Sequence, residues 1–210
     1  DRFIIGALSG AKAVSYYTVP FQLAGQSAII SGALVSALFP RFASASHEEE
    51  RRLANEGLRV LISVMTPMMV VGVLFMEPFL AWWINPAFAE QSSRVGQVIL
   101  LGFWANNFAR IPFVQLQARG RPDLVAKCHL AEVLPYFGLL YLGWNLYGLT
   151  GVAVAFSIRV AFDFALLAGF AGILREASRL LFIPLVLLTV AFLFAIQSDS
   201  NYQDWIIHLV

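Results

Sequence analysis

The chain contains 210 residues, of which 59% are hydrophobic and 13% are charged, and its formal net charge is +1. A soluble domain has about 45–50% apolar and about 25% charged residues, so this composition excludes an ordinary water-soluble protein and indicates a chain that is solvated by lipid. The single cysteine, Cys128, excludes a disulfide scaffold or a cysteine-based metal site.

Six segments are predicted to be complete membrane-spanning helices, because roughly 20 mostly apolar residues cross a bilayer core of about 30 Å. In chain order they are 14–39, 58–84, 95–117, 124–146, 149–174 and 179–196. Residues 1–10 and 205–210 are interpreted as partial spans. The helix breakers lie at 85–86, 120–122, 147–148 and 198–201, and residues 197–204 are predicted to form a loop. We therefore expect an all-α, polytopic transmembrane helix bundle.

The basic residues of the links predict the orientation in the membrane, because cytoplasmic loops carry an excess of Lys and Arg. If the six spans alternate in direction across the membrane, the links on one side contain only Lys12 and Arg94. The other side, which we predict to be cytoplasmic, receives eight of the 14 basic residues: Arg41, Arg51, Arg52, Arg119, Arg121, Lys127, Arg175 and Arg179.

The most polar stretch of the chain is His47–Arg52, with the sequence HEEERR. It can be interpreted as a regulatory or docking segment. It can also be interpreted as a solvated turn with a short interfacial helix, and we favour this second interpretation.

Arg159 and Asp163 lie near the middle of the fifth predicted span, where an ionisable group costs at least about 2.5–3.5 kcal/mol and normally faces protein or water. Four residues apart on a helix, they are within reach of each other. The pair could present a cation to an anionic substrate group, with Asp163 holding the arginine or exchanging a proton. Alternatively, the pair neutralises itself and locks the helix against its neighbours.

Two further spans carry polar residues along one face. Asn106 and Arg110 share a face of the third span and are candidates to line a cavity, although the long arginine side chain could also reach the interface. Gln22 and Gln26 lie on one stripe of the first span with small residues. Their amides could bond to sugar hydroxyls, or the stripe could serve helix packing.

In the fourth span, His129 and Glu132 are three residues apart and could form a proton-sensitive couple. A lone histidine near an interface more often has no such role. The sequence shows no phosphate-binding loop that would bind ATP, no cluster with metal-ligand spacing and no recognisable nucleophile. We therefore expect no cofactor, no metal, no enzymatic activity and no nucleic-acid partner.

Four sequence motifs, taken in order, resemble a known family. They are DRFIIGALSGAKAVSYY at 1–17, ALFPRFA at 37–43, QARGRPDL at 117–124 and YGLTGVAVAFSI at 147–158. The chain resembles the Wzx-type oligosaccharide flippases of the polysaccharide exporter superfamily, which also contains multidrug antiporters. The resemblance extends over nearly the whole chain.

The resemblance implies a two-lobed inner-membrane transporter that works by alternating access. This chain would be its carboxy-terminal portion, with the second lobe in 1–174 and additional terminal helices in 175–210. The implied cargo is an undecaprenyl-diphosphate-linked oligosaccharide for cell-surface polysaccharide, such as O-antigen or exopolysaccharide. Membrane lipids are expected partners and a polysaccharide polymerase complex is a further candidate. The alternatives are a cation- or proton-coupled multidrug antiporter of the same fold, a membrane-embedded enzyme of polysaccharide assembly, or a structural membrane scaffold.

Overall fold

The computed structural model describes residues 2–207, with side chains described for residues 5–6, 10 and 12–198. Six helices and no strand occur in this range, which confirms the predicted all-α fold. The helices are α1 (Arg2–Gly25), α2 (Ala28–Ser44), α3 (His47–Trp83), α4 (Pro86–Ala118), α5 (Pro122–Ala171) and α6 (Leu174–Ile207).

Four helical stretches are long and apolar enough to cross a membrane: Lys12–Ser44, His47–Trp83, Pro122–Ala171 and Leu174–Ser198. Many large apolar side chains on them are exposed, including Trp82 and Leu134, each 82% exposed. Because contiguous exposed apolar surface of this extent is unusual in soluble monomers, it fits contact with lipid chains. The structure thus supports a polytopic membrane bundle.

The first of these stretches combines the end of α1 with α2. Between them, four backbone hydrogen bonds join residues three positions apart, with the N–H groups of residues 26, 27, 29 and 30 as donors. A short stretch of this tighter geometry inside a helix often marks a hinge. The predicted first span, 14–39, is therefore one span with a local break near its centre.

Helix α5 contains 50 residues and reverses its direction at Gly148, whose φ of 56° and ψ of −132° are non-helical. The backbones of Gly143 and Gly151 touch, since a Cβ built on Gly151 would lie 1.8 Å from the carbonyl oxygen of Gly143. Two residues eight positions apart can meet in this way only if the helix folds back on itself. We call 122–147 the first arm and 149–171 the second arm of α5, and these two arms are the two spans predicted for this region.

Helix α4 is the centre of the bundle and contacts all five of the other helices. It is the most polar of the predicted spans, and it is not among the four stretches apolar enough to cross a membrane. Its polar residues are shielded by protein instead of lipid, because Ser92, Gln97, Asn107 and Gln115 are fully buried. Helix α6 packs mainly against α3.

The prediction of a loop at 197–204 is wrong. Helix α6 continues without interruption from Leu174 to Ile207. The residues in question, QSDSNYQD, are polar but include neither glycine nor proline, and the remaining residue types cost a helix only modestly. Residues 208–210 of the predicted last partial span lie outside the described residues.

The HEEERR segment forms the first turns of α3, where five of its six residues are exposed and Glu50 is buried. The carboxylate of Glu50 is buried and lies 2.6 Å from Arg119 Nε, and Arg51 forms an ion pair with Glu176. These contacts join the start of α3 to the end of α4 and the start of α6. The links with the most basic residues therefore lie together at one end of the bundle, which we call the basic end.

Candidate functional site

Two cross-arm contacts between ionisable side chains connect the two arms of α5. Glu132 on the first arm accepts a hydrogen bond from Arg159 Nε on the second arm, at 3.2 Å. The Glu132 side chain is 2% exposed and that of Arg159 is 33% exposed. The guanidinium carbon of Arg159 also lies 5.3 Å from the ring centroid of Tyr136, close enough for a cation–π interaction.

The second contact joins His129 on the first arm to Asp163 on the second arm, with His129 Nε2 3.3 Å from Asp163 Oδ1. It is an ion pair when the imidazole is protonated. The His129 ring also stacks on Phe113 of α4, with the ring centroids 6.3 Å apart. The histidine is therefore held between α4 and the second arm of α5.

These partners differ from the predicted ones. The sequence paired Arg159 with Asp163 and His129 with Glu132, each along its own helix. In the structure each residue takes its ionic partner from the facing arm. The reversal at Gly148 brings the two arms together in antiparallel register, and contacts across the arms replace contacts along them.

A cavity of about 240 Å³ lies between α4 and the two arms of α5. Four of the predicted site residues line it: Asn106, Arg110, His129 and Asp163. Its remaining wall is apolar and is formed by Ala109, Phe113 and Leu167. We call this space the α4–α5 cavity.

Arg110 is the cation of this cavity. Its Nε is buried and has no hydrogen-bond partner among the described residues. Its Nη1 points towards α2, 3.9 Å from the position that a Cβ on Gly32 would take. Since buried polar groups are normally hydrogen-bonded, the guanidinium has unused capacity to bind an acceptor.

Two buried carboxylates also lie near the cavity and close to each other. Asp163 Oδ1 is 3.3 Å from His129 Nε2, and the carboxyl groups of Glu132 and Asp163 are within hydrogen-bonding distance of each other. Together with His129 and Arg110 they form a cluster of four ionisable groups inside the membrane-spanning region. In lipid-embedded proteins such groups usually mark a substrate or ion pathway.

The sequence is 35% identical over 168 residues to a Shigella flexneri protein named "Putative O-antigen transporter". The match covers 80% of this chain and 40% of the relative, so the chain spans less than half of that protein's length. No protein-family model and no solved structure matches the chain. The chain is thus related in sequence to this transporter over most of its own length. Its spanning helices and this relationship make it part of a multi-pass protein of the bacterial inner membrane.

Not all of the predicted site residues come together in the structure. Gln22 is exposed on α1. Gln26 lines a different, largely apolar groove of about 370 Å³ between α1, α3 and α4. Arg159 is paired with Glu132 and does not line the α4–α5 cavity. The roles of these three residues in binding substrate stay predictions.

A buried polar cluster was missed by the sequence analysis. Asn107 Nδ2 donates to Ser27 Oγ at 2.9 Å, and Ser31 Oγ donates to Asn107 Oδ1 at 2.5 Å. The cluster fixes the break between α1 and α2 against α4. Asn107 directly follows the predicted Asn106 but faces the break between α1 and α2 instead of the α4–α5 cavity. The sequence gives no sign of which helix its amide contacts.

Proposed function

We propose that this chain is part of a flippase that moves an undecaprenyl-diphosphate-linked oligosaccharide across the inner membrane by alternating access. The observation that carries the proposal is Arg110 in the α4–α5 cavity, whose Nε is buried and has no hydrogen-bond partner among the described residues. Arginine binds phosphate oxygens through paired, charge-assisted hydrogen bonds. The relationship to a protein named as an O-antigen transporter supports a polysaccharide cargo.

The size of the cavity limits what it can hold. Sites that enclose a drug-sized molecule measure about 300–1,000 Å³, whereas this cavity measures about 240 Å³. It therefore suits the diphosphate group and not the whole oligosaccharide. Asn106 and His129 line the same cavity and add donors beside Arg110, and Asp163 lies 3.3 Å from His129.

Arg110→Ala in the full-length protein is expected to reduce surface polysaccharide about tenfold or more, because hydrogen bonds to charged groups contribute about 1.5–3 kcal/mol. The measurement is the amount of surface glycan in cells that lack the natural gene, with membrane insertion checked by immunoblot. Arg110→Lys should recover part of the export, since it keeps the charge without the bidentate geometry.

Arg59→Ala is the matched control. Arg59 is an exposed arginine of α3 that does not line the α4–α5 cavity, so this variant should export normally. Normal export by Arg110→Ala, or an equal loss in Arg59→Ala, would remove Arg110 from the proposed site.

A proton-coupled drug antiporter of the same fold is the second candidate function. It is favoured by Asp163, an acidic residue that lines the cavity and lies 3.3 Å from His129. A group that exchanges protons with an aqueous cavity can couple transport to a pH gradient.

Under this second function, cells that produce the full-length protein should expel a cationic dye against its concentration gradient, with the inward proton gradient as the driving force. Asp163→Asn should abolish the dependence of dye efflux on the pH gradient, because an amide does not titrate. Asp123→Asn changes an exposed aspartate at the start of α5 and should leave efflux unchanged. If cells with normal glycan export show no dye efflux, the antiporter function is excluded and the flippase function remains.

A further inference from the structure

A second cavity, of about 510 Å³, lies at the basic end of the bundle. It forms where the link between α2 and α3, the link between α4 and α5, and the last turn of α5 meet. We call it the basic-end cavity. It shares no lining residue with the α4–α5 cavity, and the function proposed above makes no use of it.

Four ionisable side chains line the basic-end cavity. Arg119 is neutralised, because its Nε contacts Glu50 Oε1 at 2.6 Å and its Nη2 donates to the carbonyl oxygen of Ala171 at 3.1 Å. Glu50 is in turn 3.7 Å from Nδ1 of His47, which is almost fully exposed. With a neutral histidine, the lining of two arginines and one glutamate carries one net positive charge, that of Arg121, whose partner Asp123 lies outside the lining.

Arg121 can exchange its partner for a ligand. Two hydrogen bonds join it to Asp123, from Nε to Oδ1 at 3.1 Å and from Nη2 to Oδ2 at 3.4 Å, but the Arg121 side chain is 54% exposed, and exposed ion pairs contribute only about 0–1 kcal/mol. Asp123 does not line the cavity, and it lies in the first turn of α5, whose free backbone N–H groups favour an anion. The polar side of the cavity thus offers a guanidinium, a helix N-terminus and an imidazole to one ligand.

The opposite wall of the cavity is apolar. It is formed by Phe42 of α2, Leu116 of α4, and Leu124 and Phe170 of α5. A small soluble anion would gain nothing from this wall. A ligand that has a phosphate next to a glycerol and fatty-acyl chain would contact both sides.

We propose that the basic-end cavity binds the headgroup of an anionic phospholipid of the surrounding leaflet, such as phosphatidylglycerol. Arg121 and His47 contact the phosphate, and the phenylalanine and leucine side chains contact the glycerol and the first methylene groups. Basic pockets between membrane helices on the cytoplasmic side are typical sites for anionic lipid headgroups. The site does not depend on the substrate of the transporter.

The test is lipid binding to the purified full-length protein in a neutral detergent. Phosphatidylglycerol and phosphatidylethanolamine of equal chain length are titrated separately, and the bound lipids are counted by native mass spectrometry. Phosphatidylglycerol should bind more tightly. Arg121→Ala should weaken its binding about tenfold, as expected for the loss of one charge-assisted contact to phosphate, and Arg121→Lys should restore part of it.

Arg179→Ala is the matched control, because Arg179 is an exposed arginine at the same end that does not line the cavity. It should bind phosphatidylglycerol like the unmodified protein. Equal binding of the two lipids, or an equal loss in Arg179→Ala, would overturn the proposal. Displacement of the lipid by an excess of inorganic phosphate would also overturn it, because the site would then recognise free phosphate. Surface glycan is not measured in this experiment, so its result is separate from that of the Arg110 variants.

Discussion

Gly151→Ala is expected to prevent the two arms of α5 from packing and to cost more than about 3 kcal/mol of stability, at or above the usual range for overpacking. The added Cβ would lie 1.8 Å from the carbonyl oxygen of Gly143, which is a backbone atom. No rotation of a side chain relieves that clash, so the arms must separate. Both cross-arm contacts lie farther along the same pair of arms and would be lengthened. The loss is measured as a lower midpoint of thermal or denaturant unfolding in detergent.

Gly138→Ala and Gly169→Ala are the controls, one on each arm. No atom lies within 4 Å of a Cβ added at either position. Since alanine is about 1 kcal/mol better than glycine inside a helix, these variants should be neutral or slightly more stable. Gly143→Ala should behave like Gly151→Ala, with its Cβ 2.4 Å from the carbonyl oxygen of Gly151. Normal unfolding of both close-contact variants would contradict the reversal of α5.

The secondary structure was largely predictable, because it depends on local signals. Asn85 and Pro86 end α3 and start α4 as predicted, and the Asn85 side chain caps α4 by accepting from Phe88 N at 2.8 Å. The Tyr147–Gly148 breaker is the point of reversal of α5. The prediction failed at 197–204, where a run of polar residues was expected to end the helix. Polar residues without glycine or proline can continue a helix.

The members of the candidate site were more predictable than their partners. Four site residues could be predicted from the sequence, because burying a charge in a membrane span costs free energy and such groups are rarely placed there without a role. They are Arg110, Glu132, Arg159 and Asp163. Helical spacing then suggested partners three or four residues away on the same helix. The actual ionic partners, 27 and 34 residues apart in sequence, depend on how tightly two arms pack at Gly143 and Gly151. Nothing within one helix encodes that register.

The ion pair between Glu132 and Arg159 should respond unequally to the loss of either partner. Arg159→Ala leaves a carboxylate that is 2% exposed without its cation, and breaking a buried pair in this way typically costs about 3–5 kcal/mol. Glu132→Gln leaves an arginine that is 33% exposed, rests on Tyr136 and can still reach water or headgroups. We expect this variant to cost only about 1 kcal/mol, close to one ordinary hydrogen bond.

The double variant Arg159→Ala with Glu132→Gln decides whether the unpaired carboxylate causes the loss. It should be more stable than Arg159→Ala alone, because the uncompensated charge has been removed, and a double-mutant cycle in detergent measures the coupling. The exposed pair Arg52–Glu56 of α3 is the control, with Arg52→Ala expected to change stability by less than about 1 kcal/mol. If Arg159→Ala proves as mild as Glu132→Gln, the Glu132 carboxylate has water or another cation beside it. The two arms would then be held by their glycine contact and apolar packing, without a contribution from this charge pair.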